Sequence, residues 1–171
     1  MGEPANTDLY ERDFYAWTQV QARQLRALTG HNAVDVVHVA EEIADLGANQ
    51  RNALASHLRL AFQHLILLAA SPAADPQAHW AGEVAHSRDE IRQLLETSPS
   101  LQTAVDPDKA WRRALHTANE KRVWHGEPTV KPKRPCPLQL DDLASDELDV
   151  ADLIWRVRRV VRPDDSGPES D

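Results

Sequence analysis

Residues 54–69 read LASHLRLAFQHLILLA, and this stretch decides the fold of the chain. Leucine, isoleucine and phenylalanine side chains recur at helical spacing around a wide arc, so more than one side of the helix is apolar. A helix of this kind needs neighbours on most sides, and we expect it to run through the centre of a helical bundle. Pro72 and Pro76 follow and bracket the loop after it.

Two apolar stripes precede this central segment. From Leu9 to about Leu28 apolar residues recur at steps of three to five, which predicts one amphipathic helix. Asp35 stands before a second stripe that continues to Leu46, where its carboxylate can cap the free N–H groups of a new helix. Gly47 follows, and we expect it to kink or close that helix.

Two copies of the same start signal follow the central segment, Asp75-Pro76 and Asp106-Pro107. In each copy a capping carboxylate precedes a proline, whose missing N–H has no partner in the first turn of a helix anyway. Each pair is predicted to open a helix, and Gly126 to end the second one. The chain is therefore predicted to be all-α, a bundle of four to five main helices.

The C-terminal third divides into segments of different composition. Residues 127–137 contain four prolines and predict an extended strap. Residues 146–162 predict a C-terminal amphipathic helix, with acids at its start and arginines toward its end, an order that complements the helix dipole. We expect residues 8–145, including the strap, to form the helical domain. Residues 1–7 are predicted to be a tail, and residues 163–171 a disordered acidic tail.

Composition restricts the function classes. Nineteen basic against 27 acidic residues give the 171-residue chain a net charge of −8, which disfavours general binding to nucleic acid or anionic membranes. Cys136 is the single cysteine, so no internal disulfide forms and a reducing compartment is indicated. The N-terminus lacks the features of a signal peptide, and no uninterrupted apolar stretch reaches about 18 residues. We expect a cytoplasmic protein without membrane contact.

Three blocks of sequence occur in a characteristic order: DFYAW at residues 13–17, AEEIADLG at 40–47 and SPSL at 98–101. Trp80 and Arg88 lie between the second and the third block. In these features the chain resembles the bacterial family known as domain of unknown function 29. The resemblance extends over most of the chain and implies an all-helical bundle, but it implies no reaction.

The resemblance also suggests a structural ion pair. Family members combine the glutamates of the second block with an arginine eight residues after a tryptophan, and the matching residues here are Glu41, Glu42 and Arg88. Such a pair between two helices would fix their register, and if buried it would add specificity more than stability. Family members often carry a lysine three residues after the histidine that His64 matches. Because Leu67 stands there instead, no lysine-dependent activity is implied for this chain.

Acidic and histidine side chains suggest a metal site as one hypothesis. His57 and His64 lie seven residues apart, and Glu42 and Asp45 lie on the preceding helix. Carboxylates and imidazoles from facing helices form metal sites in bundle cores, so these four residues could bind a divalent metal. The sequence contains no Glu-x-x-His repeat. The alternative is that His64 is a packed helix residue while the acids face solvent or pair with arginines.

Other distinctive side chains are predicted to pack rather than react. Phe14, Trp17, Trp80 and Trp111 fall at helical positions that favour the core over a ligand box. Cys136 stands between two prolines with no histidine near it in sequence. We interpret it as a small apolar anchor for the strap.

The C-terminal amphipathic helix has two possible roles. Its apolar face could dock on the bundle, or it could bind a partner as an amphipathic helix does in a groove. In the second case Leu153, Ile154, Val157 and Arg159 would be the partner-binding residues.

Two classes of function remain open. The first is a non-enzymatic helical protein-interaction or regulatory module of the bacterial cytoplasm, which binds a protein partner or a second copy of itself and needs no cofactor. The alternative is a small metal-dependent hydrolase or metal-binding bundle that uses Glu42, His57 and His64. Convergence of those three side chains within about 5 Å would favour the enzyme. An exposed apolar patch would favour the interaction module.

Overall fold

A computed structural model of the chain describes residues 6–28, 34–132 and 134–162, with side chains from Asp8 onward. Its helices are α1 (Asn6–Arg12), α2 (Phe14–Ala27), α3 (Val36–Ala70), α4 (Gln77–Thr97), α5 (Pro107–Trp124), α6 (Leu140–Ala144) and α7 (Val150–Val161), with a 3₁₀ helix at Pro99–Thr103. No strand occurs in these residues, so the all-α prediction is confirmed. Asn6 and Thr7, predicted as tail, belong to α1. Residues 1–5 and the predicted acidic tail 163–171 lie outside the described residues.

The chain divides into two compact units. Unit 1 comprises Met1–Leu54 and Arg92–Val105, and unit 2 comprises Ala55–Ile91 and Asp106–Asp171. Helices α3 and α4 each supply residues to both units. The sequence analysis did not anticipate this division, because no change of composition marks the boundary inside either helix.

In unit 1 the helix predicted from Leu9 to Leu28 is divided in two at Asp13. The N–H of Asp13 still donates to Leu9 O at 2.8 Å, but its backbone leaves the helical region, with φ −156° and ψ 85°. The carboxylate of Asp13 then accepts the N–H of Ala16 at 2.9 Å, so Asp13 is the N-cap of α2. The apolar spacing concealed the break because it interrupts the helix for a single residue.

The 3₁₀ helix is hydrogen-bonded to the start of α2. Ser100 donates both its N–H and its hydroxyl to the carboxylate of Asp13, each at 2.8 Å. The hydroxyl oxygen of Ser98 accepts the N–H of Tyr15 at 3.0 Å and donates to Gln50 Oε1 at 2.8 Å. The first and the third sequence block thus form one polar junction, which satisfies N–H groups that the first turn of a helix leaves free.

Helix α3 continues through Gly47, so the prediction that this glycine kinks or closes a helix is wrong. A Cβ atom at Gly47 would lie 2.2 Å from Thr18 Oγ1 and 2.9 Å from Gln19 Nε2. The glycine therefore permits a close approach of α2 to α3. This role depends on a contact between distant residues and has no local sequence signal.

The core of unit 2 is the C-terminal part of α3. Every residue from Ala61 to Ala70 is buried, and the ring of Phe62 meets Trp111 of α5 edge-on, with centroids 5.6 Å apart. By length and composition α3 could cross a membrane, but 67% of its most apolar window is buried within the protein. Such burial is typical of a core helix, as the sequence predicts.

The proline-rich strap is anchored to α5 in unit 2. The amide of Asn119 donates to Val130 O at 2.9 Å and accepts the Val130 N–H at 2.7 Å. Val130 is buried, and so is Leu138 just after the strap. These contacts give an otherwise irregular segment a defined path along the helix.

Helix α7, within the predicted segment 146–162, packs into unit 2. Leu153 and Val157 are fully buried, and the guanidinium of Arg162 donates to the carbonyl of Ala70 at 2.5 Å. Of the two roles predicted for this helix, the structure shows the intramolecular one for its apolar face.

Candidate functional site

A cavity of about 980 Å³ opens on unit 2 between the loop after α3, the first turns of α4 and the last turn of α5. Its volume is in the range of ligand pockets, roughly 300–1,000 Å³. Its apolar wall consists of Leu67, Ala73, Ala74, Pro76, Trp80 and Trp124. We name this cavity the tryptophan groove.

The end of α5 shapes one wall of the tryptophan groove. Gly126 has φ +73°, a conformation that favours glycine. Its N–H donates to Val123 O at 3.0 Å, and the N–H of Glu127 donates to Arg122 O at 2.8 Å. This pair of bonds is a Schellman motif. The predicted helix end at Gly126 is confirmed, and the reversal turns Glu127 back toward α5.

A buried ion pair lies in the lining of the groove. Arg122 Nη1 and Glu127 Oε2 are 2.8 Å apart, with side chains only 5% and 15% exposed. Ser71 donates its hydroxyl to Glu127 Oε1 at 2.6 Å, and Arg122 Nε donates to Pro128 O at 2.9 Å. Burial lowers the pKa of Arg122, and the charge of Glu127 opposes that shift. The two charges neutralise each other, so the pair needs no counter-ion from solution.

The rim of the groove is aromatic and exposed. Of the two lining tryptophans, Trp124 is 88% exposed and Trp80 is half-buried. Within the part of the chain that the structure describes, the rings of Trp80 and Trp124 do not contact each other. Both rings thus line the cavity without filling it. This arrangement suits an apolar or aromatic group placed between them.

The histidines of the metal hypothesis face other histidines. His57 lies edge-on to His86 with centroids 6.1 Å apart, and His64 lies edge-on to His79 at 6.4 Å. Burial lowers the pKa of His64 to about 4, with a further lowering by the charge of Lys121. His64 is therefore a neutral packed residue at pH 7, which is the alternative that the sequence left open.

The four residues of the predicted metal site are divided between the two units, and the site stays a prediction. In residues 6–28, 34–132 and 134–162 no group of three or more His, Cys, Asp or Glu side chains is placed to bind a metal ion. Glu42 and Asp45 are exposed in unit 1, whereas His57 and His64 belong to unit 2. Helical spacing places residues on a shared face of one helix, but it gives no distance between side chains on different helices.

Arg88 is buried, and two of its N–H groups bond to backbone carbonyls in unit 2. Its Nε donates to Leu143 O at 3.0 Å and its Nη2 donates to the carbonyl of Ser145. Glu41 and Glu42 are exposed, and neither forms an ion pair within the described residues. Glu41 and Glu42 belong to unit 1 and Arg88 to unit 2, and the pair between them stays a prediction. Within unit 2 the arginine fixes the end of α6 and the residue after it.

Cys136 is a structural thiol. Its Sγ–H donates to Leu138 O at 3.2 Å, and burial raises its pKa to about 12. The thiol is therefore protonated and a poor nucleophile at neutral pH. This agrees with the interpretation of Cys136 as an anchor for the strap.

The other predicted site residues differ in their surroundings. Of the four predicted core aromatics only Trp111 is buried. Phe14 and Trp17 are half-buried and form a ring cluster with Tyr10. Trp80 is also half-buried, and it lines the groove.

The partner-binding prediction for α7 needs correction. Leu153 and Val157 are fully buried within the protein and cannot meet a partner, and Ile154 is half-buried. Arg159 is exposed and lies over the ring of Trp155, 4.8 Å from its centroid. The amphipathic pattern was correct, but the groove that receives its apolar face belongs to the same chain.

Sequence reasoning missed the tryptophan groove. Trp124 is the last residue of α5, and it is the most exposed large apolar side chain among the described residues. The available signal was its place two residues before Gly126, where a helix ends and side chains lose their neighbours.

Comparison with known proteins gives a family and a fold. The family model of domain of unknown function DUF29 matches residues 9–156. No curated protein matches the chain at a significant level. A crystal structure of an alpha-helical protein of unknown function from Rhodospirillum rubrum is similar, with 28% identity and a TM-score of 0.75, covering 86% of this chain and 96% of that one. The family model spans most of the chain, and the protein belongs to the DUF29 family.

Proposed function

We propose that the protein is a non-enzymatic helical binding module, which receives an apolar, basic segment of a protein partner in the tryptophan groove. The observation that carries the proposal is Trp124, which is 88% exposed and lines a cavity that Trp80 also lines. Tryptophan is enriched among the residues that dominate binding energy. Covering one such ring contributes on the order of 2–4 kcal/mol.

Charge indicates which partner fits. The groove is lined by three carboxylates, Asp75, Glu120 and Glu127, against two permanent cations, Lys121 and Arg122. The whole chain has a net charge of −8. A basic partner is therefore attracted, while a second copy of this chain is repelled. The proposed occupant is a segment with one apolar anchor side chain and flanking lysines or arginines.

Two potentially reactive side chains, Cys136 and His64, are poorly suited to catalysis at neutral pH. Burial raises the pKa of the Cys136 thiol to about 12 and lowers the pKa of the His64 imidazole to about 4. A protonated thiol is a weak nucleophile, and an imidazole with so low a pKa is a weak general base at neutral pH.

The test is capture of a partner by the full chain, followed by reconstitution with the purified partner. Trp124→Ala is the test variant, and Trp155→Ala is the matched control, because Trp155 is also an exposed tryptophan of unit 2, at 58%. We expect the identified partner to bind the wild type and W155A equally. Trp124→Ala should weaken binding by roughly tenfold or more, as expected at a hot spot.

Two results would contradict the proposal. One is a partner whose affinity is the same for W124A and the wild type, which would place the interaction elsewhere on the surface. The other is a bound segment without basic residues whose affinity does not change with salt, since rim charges should make association depend on ionic strength.

A further inference from the structure

A second concavity of unit 2, of about 570 Å³, has a different chemistry. It is lined by Arg59 of α3 and by Lys109, Arg112, Arg113, His116 and Thr117 of α5. We name it the basic pocket. Four permanently charged side chains thus line one open concavity in a chain whose net charge is −8.

The positive charges of the basic pocket are largely uncompensated. Lys109, Arg112 and Arg113 are exposed, and none of them forms an ion pair in the part of the chain that the structure describes. Arg59 donates to the neutral amide of Gln63 at 3.3 Å. On the surface, Nε2 of His116 lies 3.4 Å from the carboxylate of Glu120.

The placement of these cations on α5 is unfavourable without a counter-charge. Lys109 and Arg113 are four residues apart, so two permanent cations lie next to each other on one helix face. Lys109 also lies in the first turn of α5, where the helix dipole favours anions over cations. An anion in the pocket would relieve both effects.

We propose that the basic pocket binds a small anion that carries two or three linked phosphate groups. Arginine guanidinium groups bind phosphate oxygens through paired N–H donors, and Arg59, Arg112 and Arg113 come from two different helices around the same space. Four cations match the three to four negative charges of a di- or triphosphate. A volume of about 570 Å³ suits a compact ligand.

A nucleic acid is the less suitable ligand. Proteins that bind it present extended basic patches or stripes, usually on a basic domain. Here the cations are confined to one concavity, and the rest of the acidic chain would repel a long phosphate backbone.

The experiment is titration of the full chain with inorganic tripolyphosphate by isothermal calorimetry, with orthophosphate and a single-stranded oligonucleotide as further probes. The test variant is Arg112→Gln with Arg113→Gln. Its matched control is Arg23→Gln with Arg26→Gln, two exposed arginines of α2 that give the same change of net charge. Lys109→Gln provides a second variant if the double substitution alters the circular dichroism spectrum.

We expect saturable one-to-one binding of tripolyphosphate that is tighter than binding of orthophosphate. The R112Q/R113Q variant should bind at least about tenfold more weakly, because two charge-assisted contacts are lost. The R23Q/R26Q control should match the wild type, and so should W124A, which tests the tryptophan groove separately. Replacement of Arg112 and Arg113 by lysine should retain part of the affinity.

Three outcomes would overturn the proposal. The first is no measurable binding of tripolyphosphate at low ionic strength. The second is equal weakening in R112Q/R113Q and in R23Q/R26Q, which would indicate a general charge effect. The third is tighter binding of the oligonucleotide than of tripolyphosphate, with loss in R112Q/R113Q, which would make the pocket part of a nucleic-acid surface.

Discussion

Unit 1 and unit 2 are stabilised in different ways. In unit 1 hydrogen bonds of Asp13, Ser98 and Ser100 join the ends of helices. Among the described residues of unit 1 six large apolar side chains are exposed: Tyr10, Leu28, Val34, Val37, Val39 and Leu46. In unit 2 ten consecutive residues of α3, Ala61 to Ala70, are buried, and three large apolar side chains are exposed among the described residues: Val123, Trp124 and Trp155. The deep apolar core belongs to unit 2.

This contrast shows what the recognisable blocks of the family do in this chain. The first and third blocks lie in unit 1, where their polar side chains fix the start of α2 against the 3₁₀ helix. Both the tryptophan groove and the basic pocket lie in unit 2, outside those blocks. A motif can therefore identify a fold through its junctions while the surfaces suited to ligands lie elsewhere.

The largest expected effect compares the same substitution in the two units. Leu65→Ala removes a fully buried side chain from the core of unit 2 and should lower the free energy of unfolding by roughly 2–5 kcal/mol. Leu46→Ala, at a side chain that is 49% exposed in unit 1, should cost less than about 1 kcal/mol. Urea denaturation followed by circular dichroism measures both. Equal costs would show that the burial contrast is wrong.

Glycines in the two units should respond with opposite signs. Gly47→Ala would place a methyl group 2.2 Å from Thr18 Oγ1 in unit 1, and we expect a loss of about 1–3 kcal/mol. Gly82→Ala, on α4 in unit 2, meets nothing within 4 Å and should gain up to about 1 kcal/mol through helix propensity. Thermal unfolding of both variants is the measurement. A stabilising Gly47→Ala would refute the close approach of α2 to α3.

Two aspartate N-caps allow a finer comparison. Asp106→Ala in unit 2 removes the acceptor for the Lys109 N–H and should cost about 1 kcal/mol. Asp13→Ala in unit 1 removes a cap and both acceptors of Ser100, so its cost should be larger, roughly 2 kcal/mol. Chemical denaturation of the two variants measures both losses in the free energy of unfolding. Equal costs would mean that the Ser100 contacts add nothing to the cap.

The smallest expected change in stability is the pH dependence that two histidines contribute. The pKa of His64 in unit 2 is lowered to about 4, so the unfolded state gains the proton first, and stability falls as the pH drops below about 6.5. We expect the free energy of unfolding to fall by roughly 1 kcal/mol between pH 7 and pH 5, after allowance for partial solvent access to the imidazole. In unit 1 a hydrogen bond to Asp35 raises the pKa of His38, so its contribution is present at low pH and is lost as the pH rises through that pKa.

Titration of the two imidazoles by nuclear magnetic resonance checks both directions. His64→Gln should reduce the decline in stability below pH 6.5, whereas His38→Gln should make that decline slightly steeper, because it removes a contribution that grows as the pH falls. A His64 resonance that titrates near its ordinary pKa would contradict the burial of this side chain in unit 2.

Several parts of the fold could be read from local sequence. The apolar arc of residues 54–69, the proline-marked start of α5 at Asp106 and its end at Gly126 are confirmed by the structure. The break at Asp13 and the continuity of α3 through Gly47 could not be read in this way. Both depend on side chains that are distant in sequence, Ser100 in one case and Thr18 in the other.

The candidate sites were less predictable than the helices. The histidines His57 and His64 had suitable spacing, but spacing along one helix does not fix the distance to groups on another. The basic pocket was hidden because Arg59 is far in sequence from the cations of α5. Only the 88% exposure of Trp124 in the structure revealed the groove.

By itself the sequence determined the helical class, the family resemblance and the central place of the segment LASHLRLAFQHLILLA, because helical periodicity and proline or glycine signals act over a few residues. Tertiary structure alone decided the division into two units, the partners of Arg88, the docking of α7 and the two cavities. These features depend on which surfaces meet across the chain. That outcome follows from packing among all helices together and is not encoded in the spacing of any one of them.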